Sequence, residues 1–122
     1  VTDGKGVSVV YDGVGKDTFM GSLDCLKKRG LMVSFGNASG PPPALEIGDL
    51  GPKGSLFVTR PTLFHYTGTR PELEQGCRDL FDVVGSGAVK IDVGQSYGLD
   101  QASHAHADLE SRKTTGSTIL VP

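Results

Sequence analysis

An α/β fold built on a parallel sheet is what this sequence predicts. Two observations carry that reading. Three short apolar runs, Val7-Ser8-Val9-Val10-Tyr11, Leu31-Met32-Val33-Ser34-Phe35 and Ser55-Leu56-Phe57-Val58-Thr59, are separated by glycine- and proline-rich breaks, as strands covered on both faces are. Between the first two, Phe19, Leu23 and Leu26 recur at i, i+4 and i+7, which is one face of a helix. A strand, a helix and a strand in succession make a crossover, and a crossover joins parallel strands.

Each element follows in order. Gly6 and Asp12-Gly13 bound the first strand. Asp17 is the expected cap of a helix running to about Lys28. Lys27, Lys28 and Arg29 suit its C-terminal end, where the dipole favours cations, and Gly30 suits its stop. Gly36 to Lys53 is a long connection whose Pro41-Pro42-Pro43 forbids helix or central strand. Such a run could dock a proline-reading domain; a stiff loop is the simpler reading. A short helical turn is expected around Glu46 to Leu50, then the third strand, ended by Arg60-Pro61.

Thr69-Arg70-Pro71-Glu72 has the pattern of a capping box with proline in the first turn. Leu73, Cys77, Leu80, Phe81 and Val84 mark one face of the helix behind it, and Gly85 and Gly87 end it. Val89, Ile91 and Val93 alternate with Lys90 and Asp92, as in a half-exposed strand. Asp100 is the expected cap of a helix to about Lys113, with Ala102, Ala105 and Leu109 inward. Ser117 to Val121 closes the chain as a strand.

The 122 residues amount to about one domain. With 12 basic against 14 acidic side chains the net charge is −2, which argues against nucleic acid or an anionic membrane found by charge alone. The apolar runs are far too short to span a bilayer. Two cysteines do not make a disulfide scaffold, so a reducing cytoplasmic setting is expected. The chain opens on Val1-Thr2-Asp3-Gly4, without an initiator Met or a basic-then-apolar leader, which predicts a part of a longer protein.

Two motifs could carry chemistry. Gly13-Val14-Gly15-Lys16-Asp17-Thr18 follows a strand and opens a helix, the setting in which free N–H groups bind phosphate. The dinucleotide fingerprint is incomplete, because Thr18 stands where its third glycine belongs; an ordinary glycine turn is the alternative. Phe35-Gly36-Asn37 lies at the carboxyl end of the second strand, where ligands of open parallel sheets bind. Gly36 admits a close approach, and Asn37 can both donate and accept; here too a plain turn is the alternative. Thr59-Arg60-Pro61 ends the third strand at the same edge. Three glycine or polar loops therefore converge on one rim.

No metal site is expected. His104 and His106 are two residues apart and point to different sides of a helix, and His65 is remote in sequence. Cys25 and Cys77 fall within helical patterns and are expected to be buried thiols. No nucleophile-elbow pattern is present. Arg112, at a helix C-terminus, reads either as a dipole partner or as a phosphate ligand.

Three stretches carry a resemblance: Val9 to Phe19, then Ser22-Leu23-Asp24-Cys25-Leu26, then Arg29 to Gly40. They closely resemble the NADPH:quinone oxidoreductases, the zinc-free, zeta-crystallin-like branch of the medium-chain dehydrogenase/reductase superfamily. Lys53 to Pro61, Leu109 to Arg112 and Thr115-Gly116-Ser117 continue the match over nearly the whole chain. The resemblance implies the C-terminal part of such an enzyme. Residues 1–68 would be the second half of a Rossmann-type nucleotide-binding domain. Residues 69–122 would be a helix-strand-helix-strand α+β segment that returns to the catalytic domain. It implies NADPH as cofactor, a quinone or similar electrophile as substrate, and cofactor contacts at Gly13, Val14, Phe35, Gly36, Asn37, Ser39, Val58, Thr59 and Arg112. No catalytic acid or base and no metal ligand is implied. A homodimer through the edge strand Ser55 to Thr59 is implied as well, with neither nucleic acid nor membrane as partner. The competing reading is a catalytically inactive fragment that acts as a dimerising module. Departures from the family pattern, at Ser8, Gly48 to Gly51, Gly76, Gly85 and Gly98, bear on stability more than on identity.

Overall fold

The computed structural model describes residues 2–122 and divides them into two compact units, Val1–Gly68 and Thr69–Pro122.

The first unit is a three-stranded parallel sheet in the order β1 (Val7–Asp12), β2 (Leu26–Ser34), β3 (Phe57–Thr59), with α1 (Phe19–Asp24) joining the first two strands. Val9 to Asp12 pair in step with Leu31 to Ser34, and Leu31 to Val33 pair with Phe57 to Thr59. The α/β parallel reading is what the structure shows. A 3-10 turn, Ile47–Leu50, stands where a short helical turn was expected.

Four details differ. The first helix is six residues, not twelve or so, and Thr18 rather than Asp17 precedes it. The Thr18 hydroxyl bonds the Asp12 carboxylate instead of capping the helix. From Leu26 the chain is already strand: Val7 donates to the Cys25 carbonyl, Arg29 adopts φ 60° and its N–H bonds the Gly54 carbonyl. Tertiary pairing here overrides the helix preference of Lys27-Lys28-Arg29. The third strand begins at Phe57, because Ser55 adopts φ 56°, outside the extended region. Finally, β1 is not buried on both faces; most of its side chains are exposed, and Asp12 is its buried residue.

The core sits between α1 and the sheet. Phe19, Leu23, Leu26, Met32 and Leu56 form it, with Val10, Leu45 and Leu50 packed against it. A six-residue helix is not stable by itself, so α1 exists because Phe19 and Leu23 are buried here. Cys25 follows its last turn and is exposed, which corrects the expectation of a buried thiol.

In the second unit, α2 (Arg70–Gly85) starts with the expected capping box: Glu72 N–H donates to Thr69 Oγ1, and the Glu72 carboxylate accepts from Thr69 N–H at 2.9 Å. None of its side chains is buried, Cys77 included. The next strand is displaced from the expected alternation. β4 is Val93–Gly98, and it pairs in parallel with β5 (Ser117–Val121), Tyr97 opposite Leu120. Val89 and Ile91 precede it and are exposed. Pairing with β5 defines β4, and this pairing starts at Val93. The last helix, α3 (Ala102–Glu110), follows a 3-10 turn at Leu99–Gln101 that contains Asp100, so Asp100 is not its cap. Ala105 is buried, while Leu109 is exposed. Asp108 ties α3 to β4: it accepts from the Tyr97 hydroxyl at 2.9 Å and pairs with Lys113 and His104 at 3.3 Å each. The Tyr97 hydroxyl first, and Lys113 after it, hold this carboxyl below the ordinary aspartate value.

No helix among the described residues is long and apolar enough to cross a membrane.

Candidate functional site

The carboxyl ends of β1, β2 and β3 form one rim. The loop after β1 and the loop after β2 are fastened together by backbone. Phe35 N–H and Gly36 N–H both donate to the Asp12 carbonyl, at 2.9 and 3.3 Å. Ala38 N–H donates to the Gly13 carbonyl at 3.3 Å and Ser39 N–H to the Val14 carbonyl at 2.8 Å. Ser39 adds its side chain, donating to the Val14 carbonyl at 2.9 Å and accepting from Asp17 N–H at 3.0 Å. The two backbones meet so closely at Gly13 and Gly36 that a Cβ on Gly36 would lie 2.6 Å from both Gly13 C and Gly13 Cα. This is the physical reason for glycine at 36.

Side chains complete the rim. The Phe35 ring lies against Gly13, whose added Cβ would stand 3.0 Å from Phe35 Cζ, yet Phe35 is 53% exposed and offers a flat apolar surface. Arg60, just past β3, reaches back: its guanidinium donates to Asn37 Oδ1 at 3.2 Å, the Gly36 carbonyl at 3.3 Å and Ser34 Oγ at 3.4 Å. Val58 and Thr59 stand in β3 opposite Met32 and Val33 and are exposed. The structure thus brings Gly13, Val14, Phe35, Gly36, Asn37, Ser39, Val58 and Thr59 into one sheet and its end loops. Arg112 belongs to the second unit. It follows α3 with φ 58°, its side chain is exposed, and its N–H bonds the Leu109 carbonyl.

Sequence reasoning missed the bonds of two residues. Arg60 was read as part of a loop on the rim, without its side-chain bonds to Ser34, Gly36 and Asn37. Asp12 was noted only as part of a turn, and it is the most connected side chain of the rim. It is 3% exposed. Its Oδ1 accepts from Val14 N–H at 2.8 Å, Gly15 N–H at 2.9 Å and the Thr18 hydroxyl at 2.9 Å; its Oδ2 accepts from Thr18 at 2.8 Å and Ser22 at 2.9 Å. The Asp-Gly-x-Gly step after a strand was the visible signal. Burial alone would raise this carboxyl, but the donors from Gly15, Thr18, Ser22 and Val14 outweigh it and hold it below the ordinary aspartate value.

A pH dependence follows. The folded state binds the Asp12 proton less readily than the unfolded chain, so its contribution to stability is present above the ordinary value of about 3.9 and is lost as pH falls through the lower folded value. The Asp12 Cγ resonance should therefore titrate below pH ~3.9, with the Val14 and Gly15 amide shifts constant from pH 8 to about 5. A midpoint above 4.5 would contradict the bonding described.

Of the two readings of the glycine turn, phosphate-binding or ordinary, the geometry favours the ordinary turn. The amides of residues 14–19 all have acceptors in the protein: Asp12 for the first two, the Gly40 carbonyl for Lys16, Ser39 Oγ for Asp17, and the Gly15 carbonyl for Thr18 and Phe19. The turn is an internal brace, with a carboxylate already in the anion position.

Comparison with known proteins identifies the family. Residues 1–120 match the family model described as zinc-binding dehydrogenase. The chain is 55% identical to a quinone oxidoreductase of Salmonella typhimurium, over 100% of this chain and 38% of that protein. It is 46% identical to a 2-haloacrylate reductase of a Burkholderia species, over 100% of this chain and 37% of that protein. The crystal structure of Escherichia coli quinone oxidoreductase complexed with NADPH superposes with a TM-score of 0.89 at 54% identity, over 99% of this chain and 38% of that one. The chain thus spans under two-fifths of the length of the relatives it matches. The family description names zinc, but among the described residues no three His, Cys, Asp or Glu side chains gather as ligands. With 120 of its 122 residues matched, the chain belongs to the zinc-binding dehydrogenase family.

Proposed function

We propose that this chain is the C-terminal part of a cytoplasmic NADPH-dependent reductase of the zinc-free branch. The intact enzyme would transfer a hydride from NADPH to a quinone or a similar electrophilic alkene. Residues 1–68 supply half of its nucleotide-binding domain, and residues 69–122 return to the catalytic domain. The observation that carries the reading is the 54% identity, over 99% of this chain, to a quinone oxidoreductase solved with NADPH. The relative named for a haloacrylate extends the electrophile class to activated alkenes.

The rim suits such a cofactor. Gly13 and Gly36 pack backbone against backbone and fix the shape of the rim, the exposed Phe35 ring can face a planar group, and Asn37 can donate and accept. Val14, Ser39, Val58 and Thr59 border the same edge, and Arg112 is the proposed contact from the second unit. The bound nicotinamide supplies the hydride; this chain's residues hold and orient it. NADPH fluorescence is the direct test, since the chain has no Trp. Saturable binding at micromolar levels is expected, with Asn37→Ala weakening it about five- to tenfold through the lost hydrogen bonds. No saturation up to millimolar NADPH would overturn the claim that this rim binds cofactor.

The edge strand supports a second reading, a homodimerising module. β3 is the last strand of its sheet among the described residues, and Phe57 on it is 60% exposed. An unpaired apolar edge favours pairing with a second copy. Light scattering should give a dimer mass, and Val58→Pro, which removes a ladder donor, should give the monomer. A monodisperse monomer from the unaltered chain would reject this module.

A further inference from the structure

We propose that Asp12 is the positioning residue of the rim: its buried carboxylate sets the Gly13–Gly15 bend and closes that bend to anions. The inference deepens the cofactor reading above and rests on it for the identity of the ligand.

The geometry carries it. Among the described residues no cation pairs with Asp12, so its buried carboxylate must be satisfied by hydrogen bonds. Asp12 is satisfied by four residues, two through backbone N–H and two through hydroxyls. The amides of Val14 and Gly15 belong to the glycine turn that leads from β1 to α1. They point at a fixed negative charge, which also repels any second anion. Through Thr18 and Ser22 the same carboxylate fastens α1 to the end of β1. Through its own carbonyl Asp12 holds Phe35 and Gly36. One residue therefore links the loop after β1, the helix and the loop after β2. The Gly13, Val14 and Gly15 carbonyls are taken as well, by the amides of Ala38, of Ser39, and of Thr18 and Phe19.

The test uses the 122-residue chain and three variants of it. Titrating the unaltered chain with inorganic pyrophosphate should leave the amide resonances of residues 14–19 unmoved; shifts centred there would overturn the closed-turn claim. Asp12→Ala should speed hydrogen exchange at Val14 and Gly15 and raise the NADPH Kd roughly tenfold or more, the scale of losing hydrogen bonds to a charged group. Asp12→Asn keeps one oxygen for the two amides and should restore both readouts to within about threefold. Leu50→Ala, packed against the core away from the rim, should lower Tm without changing Kd. An equal rise in Kd for Leu50→Ala and Asp12→Ala, or unchanged exchange at Val14 and Gly15 in Asp12→Ala, would reduce Asp12 to a general stabiliser and overturn its positioning role. If the unaltered chain fails to bind NADPH, the cofactor reading falls, and the pyrophosphate and exchange experiments still decide the role of Asp12.

Discussion

Gly36→Ala should destabilise the first unit by about 3 kcal/mol and abolish measurable NADPH binding, as read by urea unfolding and fluorescence titration. The reason is steric and local. A Cβ at Gly36 collides with the carbonyl oxygen of Gly13 and comes within 2.6 Å of Gly13 C and Cα. These are backbone atoms in a hydrogen-bonded seam, so no rotamer change relieves the clash. The two loops must part, and parting them strains the bonds from Phe35 and Gly36 to the Asp12 carbonyl and from Ala38 and Ser39 to the Gly13 and Val14 carbonyls. Losing two or three such bonds, at about 1 kcal/mol each, gives the stated magnitude. Gly48→Ala provides the contrast: its Cβ would meet open space, so stability should stay within about 0.5 kcal/mol of the unaltered chain or rise slightly. A Gly36→Ala chain as stable as the unaltered one would show that the seam can yield, and the rim could not then be called preformed.

The parts of this architecture that were legible in the sequence are those fixed by local chemistry. The capping box at Thr69 and Glu72 was read correctly because four adjacent residues determine it. The parallel pairing of β1 and β2 followed from apolar runs and one intervening helical face. What was misread depends on partners distant in the chain. The end of α1 is set by Val7 reaching the Cys25 carbonyl and by Arg29 bonding Gly54, neither of which periodicity can see. The start of β4 is set by where β5 pairs with it, so the alternation of Val89 and Ile91 pointed to the wrong segment. The site shows the same division. Glycine positions and strand ends located the rim, and comparison with relatives named its family. The work of Asp12 stayed hidden because Thr18 and Ser22 become its donors only once α1 has folded back over β1. The two readings of the glycine turn stayed open in the sequence for the same reason: a sequence shows which amides exist, while the fold decides which are already bonded.

Leu23→Ala should cost about 2–5 kcal/mol and melt α1. Leu23 is 1% exposed, at the centre of a cluster with Phe19, Leu26, Met32 and Leu56. A unit of this size has little core to spare. A helix as short as α1 has no stability of its own, so its two buried side chains are the reason it forms. The effect should therefore propagate along a defined path. When α1 frays, Thr18 and Ser22 leave the Asp12 carboxylate, and the Val14 and Gly15 amides lose protection although they lie at the rim and not in the core. Leu23→Met, which conserves volume, should cost under about 1.5 kcal/mol and keep that protection. Hydrogen exchange resolves the two cases residue by residue. Loss of protection across β1 and β2 together would mean global unfolding of the unit. Loss confined to residues 14–24 would mean that the sheet stands without its helix, and that α1 holds the rim through Asp12 alone.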